Sequence, residues 1–143
     1  METKRFTTLV AEDDDDDLLI LKALVEALGC RGEWKYVNSS NELLDYLTKK
    51  GTYADVRELP NLIVLDLNIS EKWRDALKRI KSEPVFDRIP VVVLTPSAES
   101  GGPRCFDSQA DACVTKRLEF GDYLEALRSA VEPFCREAIR LPG

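Results

Sequence analysis

The sequence predicts an α/β protein: one doubly wound, five-stranded parallel sheet with helices on both faces. Three observations predict it. Short apolar runs alternate along the chain with segments of helical periodicity, the pattern of repeated strand–helix units. Two runs, Leu62-Ile63-Val64-Leu65 and Val91-Val92-Val93-Leu94, show no polar alternation, as expected of strands covered on both faces. Each run also gives way to a residue capable of chemistry, at the strand end where sheets of this class bind ligands.

The elements follow in order. Phe6 to Ala11 is the first strand and ends abruptly in acid. From Asp15 to about Leu28 the spacing of Leu18, Leu21, Val25 and Leu28 predicts a helix, which Gly29 terminates. Trp34 to Val37 is a short second strand. Asn38-Ser39-Ser40-Asn41 offers capping side chains for a helix carrying Leu43, Leu44 and Leu47, with Gly51 closing it. Pro60-Asn61 leads into the third strand, and a helix from about Trp73 to Lys81 turns Ala76, Leu77 and Ile80 to one side. Pro90 opens the fourth strand, and Ala112-Cys113-Val114-Thr115 is a weaker fifth. The closing helix, about Phe120 to Ile139, buries Tyr123, Leu124, Leu127, Val131 and Phe134. The count is five strands and about five helices in one domain over residues 1–143, with the last helix extending at the carboxyl end.

Composition excludes several functions. The 143 residues are enough for one core without staples. A net charge of −6 with scattered Lys and Arg argues against nucleic acid as a partner, since phosphate binding needs clustered cations. No apolar run approaches the roughly 20 residues of a membrane helix, and the amino terminus lacks a signal-peptide pattern, so a cytoplasmic protein is expected. The absence of histidine removes phosphohistidine and His-metal chemistry from this chain. Cys30, Cys105, Cys113 and Cys135 form no C-x-x-C pair and read as free thiols.

At the carboxyl ends of the strands stand Glu12 and Asp13, then Asp66, Thr95 and Lys116. Carboxylates about 4 Å apart repel by on the order of 4 kcal/mol at an effective dielectric near 20. A divalent cation relieves this, and oxygen ligands with room for water suit Mg²⁺. Such an ion could bridge Asp66 and an incoming phosphoryl group, with Thr95 and Lys116 binding other phosphoryl oxygens and Asp66 acting as nucleophile. Asp14 to Asp17 read instead as an acidic helix start favoured by the macrodipole.

The ordered set V-A-E-D (10–13), L-I-V-L-D-L-N (62–68), I-P-V-V-V-L-T (89–95) and V-T-K (114–116) resembles the receiver domains of bacterial two-component systems, over essentially the whole chain. The resemblance implies a flavodoxin-like sheet, in order 2-1-3-4-5. It implies Asp66 as phosphoacceptor, with Mg²⁺ held by Asp13, Asp66, the Asn68 backbone carbonyl and, through water, Glu12. Thr95 and Lys116 look like the switch hydroxyl and the conserved lysine. The segments L-D-L-N, I-K-S-E-P-V-F-D-R-I-P-V-V-V-L-T and F-C-R-E-A-I-R-L-P narrow it further. They look like the small stand-alone regulators associated with bacterial and cyanobacterial phytochrome kinases. A sensor histidine kinase, of phytochrome type on the narrower likeness, is then the expected partner, and a homodimer through the last helix and neighbouring strand the expected assembly.

Departures from the family pattern set up the alternative. Ser70 and Arg74 replace the usual Pro and Gly of the loop after Asp66. Pro96 follows the switch Thr and has no N–H to give a phosphoryl oxygen. A hydrogen bond to a charged group is worth about 1.5–3 kcal/mol, so its loss weakens phosphoryl binding roughly tenfold to a hundredfold. Ser100-Gly101-Gly102-Pro103 interrupts the usual fourth helix, leaving Arg104 to Gln109 for it. Cys113 stands where many receivers carry a rotating aromatic, and Arg117 replaces the Pro after the lysine. Two readings follow: a signalling receiver that accepts phosphate on Asp66 without being an enzyme, or a pseudo-receiver that binds proteins with weak or no phosphorylation. A Mg²⁺-dependent aspartyl phosphohydrolase is a distant third, because Asn68 occupies the position of its general acid.

Overall fold

The computed structural model describes residues 6–29, 32–56, 58–66, 71–95, 110–116 and 119–134. The order is β1 (Thr7–Ala11), α1 (Asp15–Leu28), β2 (Glu33–Val37), α2 (Ser40–Thr48), a 3-10 turn (Gly51–Tyr53), β3 (Leu62–Asp66), α3 (Glu71–Ser82), β4 (Val91–Thr95), β5 (Ala112–Thr115) and α4 (Phe120–Val131). The five strands form one sheet in the order β2-β1-β3-β4-β5, every neighbouring pair parallel. Four α-helices lie among the described residues, rather than about five. The interrupted fourth helix expected over 104–109 falls outside them.

The central strands sort their residues by parity. Leu9, Ala11, Ile63, Leu65, Val91 and Val93 pack with Leu43, Leu47, Trp73, Leu77 and Ile80 of α2 and α3. Val10, Leu62, Val64, Val92 and Leu94 pack with Leu21, Leu24 and Leu28 of α1 and Tyr123, Leu127 and Val131 of α4. Two apolar layers on one sheet explain why β3 and β4 are buried at every position.

Local chemistry sets the helix ends. The Asp14 side chain caps α1 by accepting from the N–H groups of Asp16 and Asp17 at 2.8 and 3.0 Å. Gly29, at φ 66°, ends that helix as expected. Ser39 caps α2, but Lys49 rather than Gly51 takes the left-handed position at its end, with φ 58°. In α1 the central core residue is Leu24, with Val25 half-buried beside it, a one-residue shift of the expected face. Leu124 and Phe134 are half-buried rather than buried; α4 ends at Val131, and the expected extension toward Ile139 lies outside the described residues.

Cys113 is a correction. It is disulfide-bonded, not the free thiol expected from the absence of a C-x-x-C pair. Its side chain is exposed on β5, an edge strand. Cys30, Cys105 and Cys135 lie outside the described residues.

Candidate functional site

Parallel register gathers the site at one edge. Ala11 aligns with Leu65, Asp66 with Leu94, and Thr95 with Thr115. Glu12, Asp66, Thr95 and Lys116 therefore emerge together, each at or just past a carboxyl strand end. The Glu12 N–H continues the ladder to the Val37 carbonyl at 3.0 Å, and the Lys116 N–H reaches the Thr95 carbonyl at 2.8 Å. Glu12, Asp66 and Thr95 are buried, whereas Asp13 faces solvent.

Lys116 is the electrostatic centre of the group. Its Nζ lies 2.6 Å from Asp66 Oδ2, 2.8 Å from Asp17 Oδ2 and 3.5 Å from Glu12 Oε1. Burial alone would lower the lysine pKa, but hydrogen bonds to Asp17 and Asp66 and the charges of Asp66 and Glu12 raise it above the ordinary value. Glu12 moves the other way. Burial, then the adjacent Asp66 carboxylate, push its carboxyl up from 4.5 to about 9, against the opposing pull of Lys116 and the Asp14 N–H. That N–H donates to Glu12 Oε2 at 3.2 Å.

One carboxylate oxygen of each of Glu12, Asp13 and Asp66 lies within 4.8 Å of the others. Two buried oxygens, Asp66 Oδ1 and Glu12 Oε1, have no hydrogen-bond partner among the described residues. A proton held on Glu12 or a cation between the carboxylates would satisfy them. The all-oxygen donor set fits a divalent cation of the Mg²⁺, Mn²⁺ or Ca²⁺ kind. Asn68, whose carbonyl was expected to complete the ligands, lies outside the described residues, as do Ser70, Pro96, Gly101, Gly102, Pro103 and Arg117.

Two neighbours of the site escaped the sequence reading. Asp17, read as a plain helix-start acid, pairs with Lys116. Its signal was helical spacing, because Asp17 precedes Leu21 by one turn on the buried stripe of α1. Trp73, read only as the start of a helix, is 2% exposed, and its indole Nε1 donates to Asp13 Oδ2 at 3.2 Å. It heads the stripe formed with Ala76, Leu77 and Ile80. The reading of Asp14 as a helix-start acid holds.

No protein-family model matches the chain. The response regulator Rcp1 of Synechocystis sp. is 35% identical over 100 residues, covering 68% of this chain and 67% of that protein. The chain is a response-regulator receiver domain. Among solved structures, the phosphorylated cyanobacterial phytochrome response regulator RcpA superposes with a TM-score of 0.78 at 30% identity, over 98% of this chain and all of that one (100%). The Mn²⁺-bound form of Rcp1 matches with a TM-score of 0.76 at 28% identity, over 96% and 99% of the two chains. A response regulator in red-light signalling of R. palustris gives a TM-score of 0.79 at 26% identity, over 96% and 99%. The receiver thus belongs to two-component signalling and is similar to phytochrome response regulators. Among the described residues, no helix is long and apolar enough to cross a membrane.

Proposed function

We propose that residues 1–143 act as one receiver domain that accepts a phosphoryl group on Asp66 from a sensor histidine kinase, with Mg²⁺ as the working cation. The observation that carries this reading is the Asp66 carboxylate itself. It is fully buried, with Oδ2 held by Lys116 at 2.6 Å and Oδ1 unpartnered beside Glu12 among the described residues. A buried acid with one oxygen oriented by a cation and the other unsatisfied is a prepared nucleophile rather than a packing element.

In the transfer, an Asp66 carboxylate oxygen attacks the phosphorus of a phosphohistidine. The new P–O bond forms as the P–N bond breaks, and the imidazole nitrogen keeps the electron pair and takes up a proton. Lys116 holds the carboxylate and offers its charge to a phosphoryl oxygen; the Thr95 hydroxyl, at the end of β4, offers a hydrogen bond to another. Asp13 and Asp66, the Asn68 carbonyl, and Glu12 through water are the groups that would hold Mg²⁺. When bound, the cation neutralises charge that builds up on the transferring group. The domain assists its own phosphorylation and is not otherwise an enzyme.

The likeness to phytochrome response regulators supports a phytochrome-type kinase as the partner. A homodimer through α4 and β5 completes the proposal; light scattering that shows a monomer at every concentration removes that part. Incubation with Mg²⁺ and acetyl phosphate, read by intact mass, tests the central claim. An Asp66-dependent gain of one phosphoryl group supports it. No such species, together with no binding of beryllofluoride, sinks it in favour of the pseudo-receiver.

A further inference from the structure

Asp17 brings a fourth carboxylate to the site, and the transfer described above has no use for it. Its position is built rather than incidental. The first turn of α1 is fixed by the Asp14 cap, which accepts the Asp17 N–H, while Leu21, Leu24 and Leu28 bury the same helix against the sheet. From that turn the Asp17 side chain reaches Lys116 Nζ at 2.8 Å, across 99 residues of sequence.

Lys116 has three ammonium protons and, around them, three carboxylates. Asp66 and Asp17 accept at hydrogen-bond distance, and Glu12 completes the shell at 3.5 Å. A phosphoryl group on Asp66 carries nearly two negative charges at neutral pH and must draw the same ammonium toward its own oxygens. Asp66, once converted to an acyl phosphate, loses its carboxylate charge and its claim on the lysine. Asp17 keeps both. It is also half-exposed, so it stays hydrated while it competes.

We infer that Asp17 is a positioning residue that competes with the phosphoryl group for Lys116 and so lowers the occupancy of phosphorylated Asp66. The inference rests on the phosphoacceptor reading of Asp66. It assigns to α1 a restraint on the signalling state, set by an ion pair that must be broken or shared whenever the domain is loaded.

The test measures beryllofluoride affinity at saturating Mg²⁺, and the steady-state phosphoprotein fraction with acetyl phosphate, for wild type, Asp17→Asn, Asp17→Ser and Asp16→Asn. Asp16→Asn makes the same charge change one residue away, at an exposed position with no contact to Lys116. The pair is partly solvated, so Asp17→Asn and Asp17→Ser should each tighten beryllofluoride binding about threefold to fivefold. Both should raise the phosphorylated fraction, while Asp16→Asn matches wild type and Mg²⁺ affinity without the phosphoryl mimic does not increase in any variant. A general electrostatic or structural role would move Asp16→Asn equally, or weaken the mimic in the Asp17 variants; either result overturns the inference. If wild type and all variants neither bind beryllofluoride nor form an Asp66-dependent phosphoprotein, the phosphoacceptor reading falls and the inference falls with it.

Discussion

Two lysine–aspartate pairs stand at opposite ends of the sheet. At the amino ends of β4 and β5, Lys81 Nζ reaches Asp111 Oδ2 at 2.9 Å and the carbonyls of Ile89 and Asp87 at 3.0 and 3.4 Å. Asp111 Oδ2 also accepts the Val91 N–H at 2.7 Å. Every group in that knot has a partner of opposite character. At the carboxyl ends, Lys116 faces three carboxylates, and oxygens of two of them are left unsatisfied. The first pair closes the start of two strands. The second leaves two buried carboxylate oxygens without a partner among the described residues. A satisfied network fixes structure, whereas an unsatisfied one stores a demand for a ligand, and the sheet carries one of each.

The largest expected break in this contrast is chemical. Asp66→Ala should abolish phosphorylation completely while leaving the melting temperature no more than slightly changed, because it removes an acid from a repulsive cluster; intact mass and thermal melts check both. A large loss of stability would make the carboxyl end structural as well.

Next comes the pH response of the cation-free protein. The Glu12 carboxyl titrates near 4.5 when unfolded and about 9 when folded, so between those values the folded state binds the extra proton. Stability from this group is full below 4.5 and declines as pH rises toward 9. Glu12→Gln should flatten that decline in urea titrations across the window, and an unchanged slope would place the coupling elsewhere. Because a cation competes with the same proton, Mg²⁺ affinity should rise with pH over this range.

A smaller effect is expected at the opposite end. Lys81→Met removes the donor to the Ile89 carbonyl and Asp111 and should cost about 1–2 kcal/mol by urea unfolding, discounted for the partly exposed aspartate. Metal affinity should not move. The smallest is Trp73→Phe, which keeps the ring and deletes the N–H to Asp13. One partly solvent-accessible hydrogen bond of about 0.5–1.5 kcal/mol predicts a roughly twofold to tenfold weaker Mg²⁺ affinity by calorimetry. No change would make the indole contact incidental.

Much of this was legible in the chain. Unbroken apolar runs announced β3 and β4, and the residue after each run announced a strand-end site, because parallel register converts position along a strand into position along an edge. Side-chain reach was harder to read. That Asp17 turns inward to Lys116 depends on the rotation of α1 against the sheet, which the shift of its core face from Val25 to Leu24 shows to be finely set. Trp73 looked like an ordinary apolar helix residue because spacing alone says nothing of where an indole N–H points. The Cys113 disulfide was missed because the lack of a C-x-x-C pair says nothing of which sulfurs the fold brings together.

The Trp73–Asp13 hydrogen bond also gives the pocket an optical label. The ring is 2% exposed and its N–H touches a candidate cation ligand, while the second indole, Trp34, stands on the edge strand β2. A cation taken up at Asp13 would alter the field along the Trp73 transition dipole without exposing the ring to water. Loading of the domain should therefore appear as a change in its native ultraviolet emission, retained in Trp34→Phe and lost in Trp73→Phe.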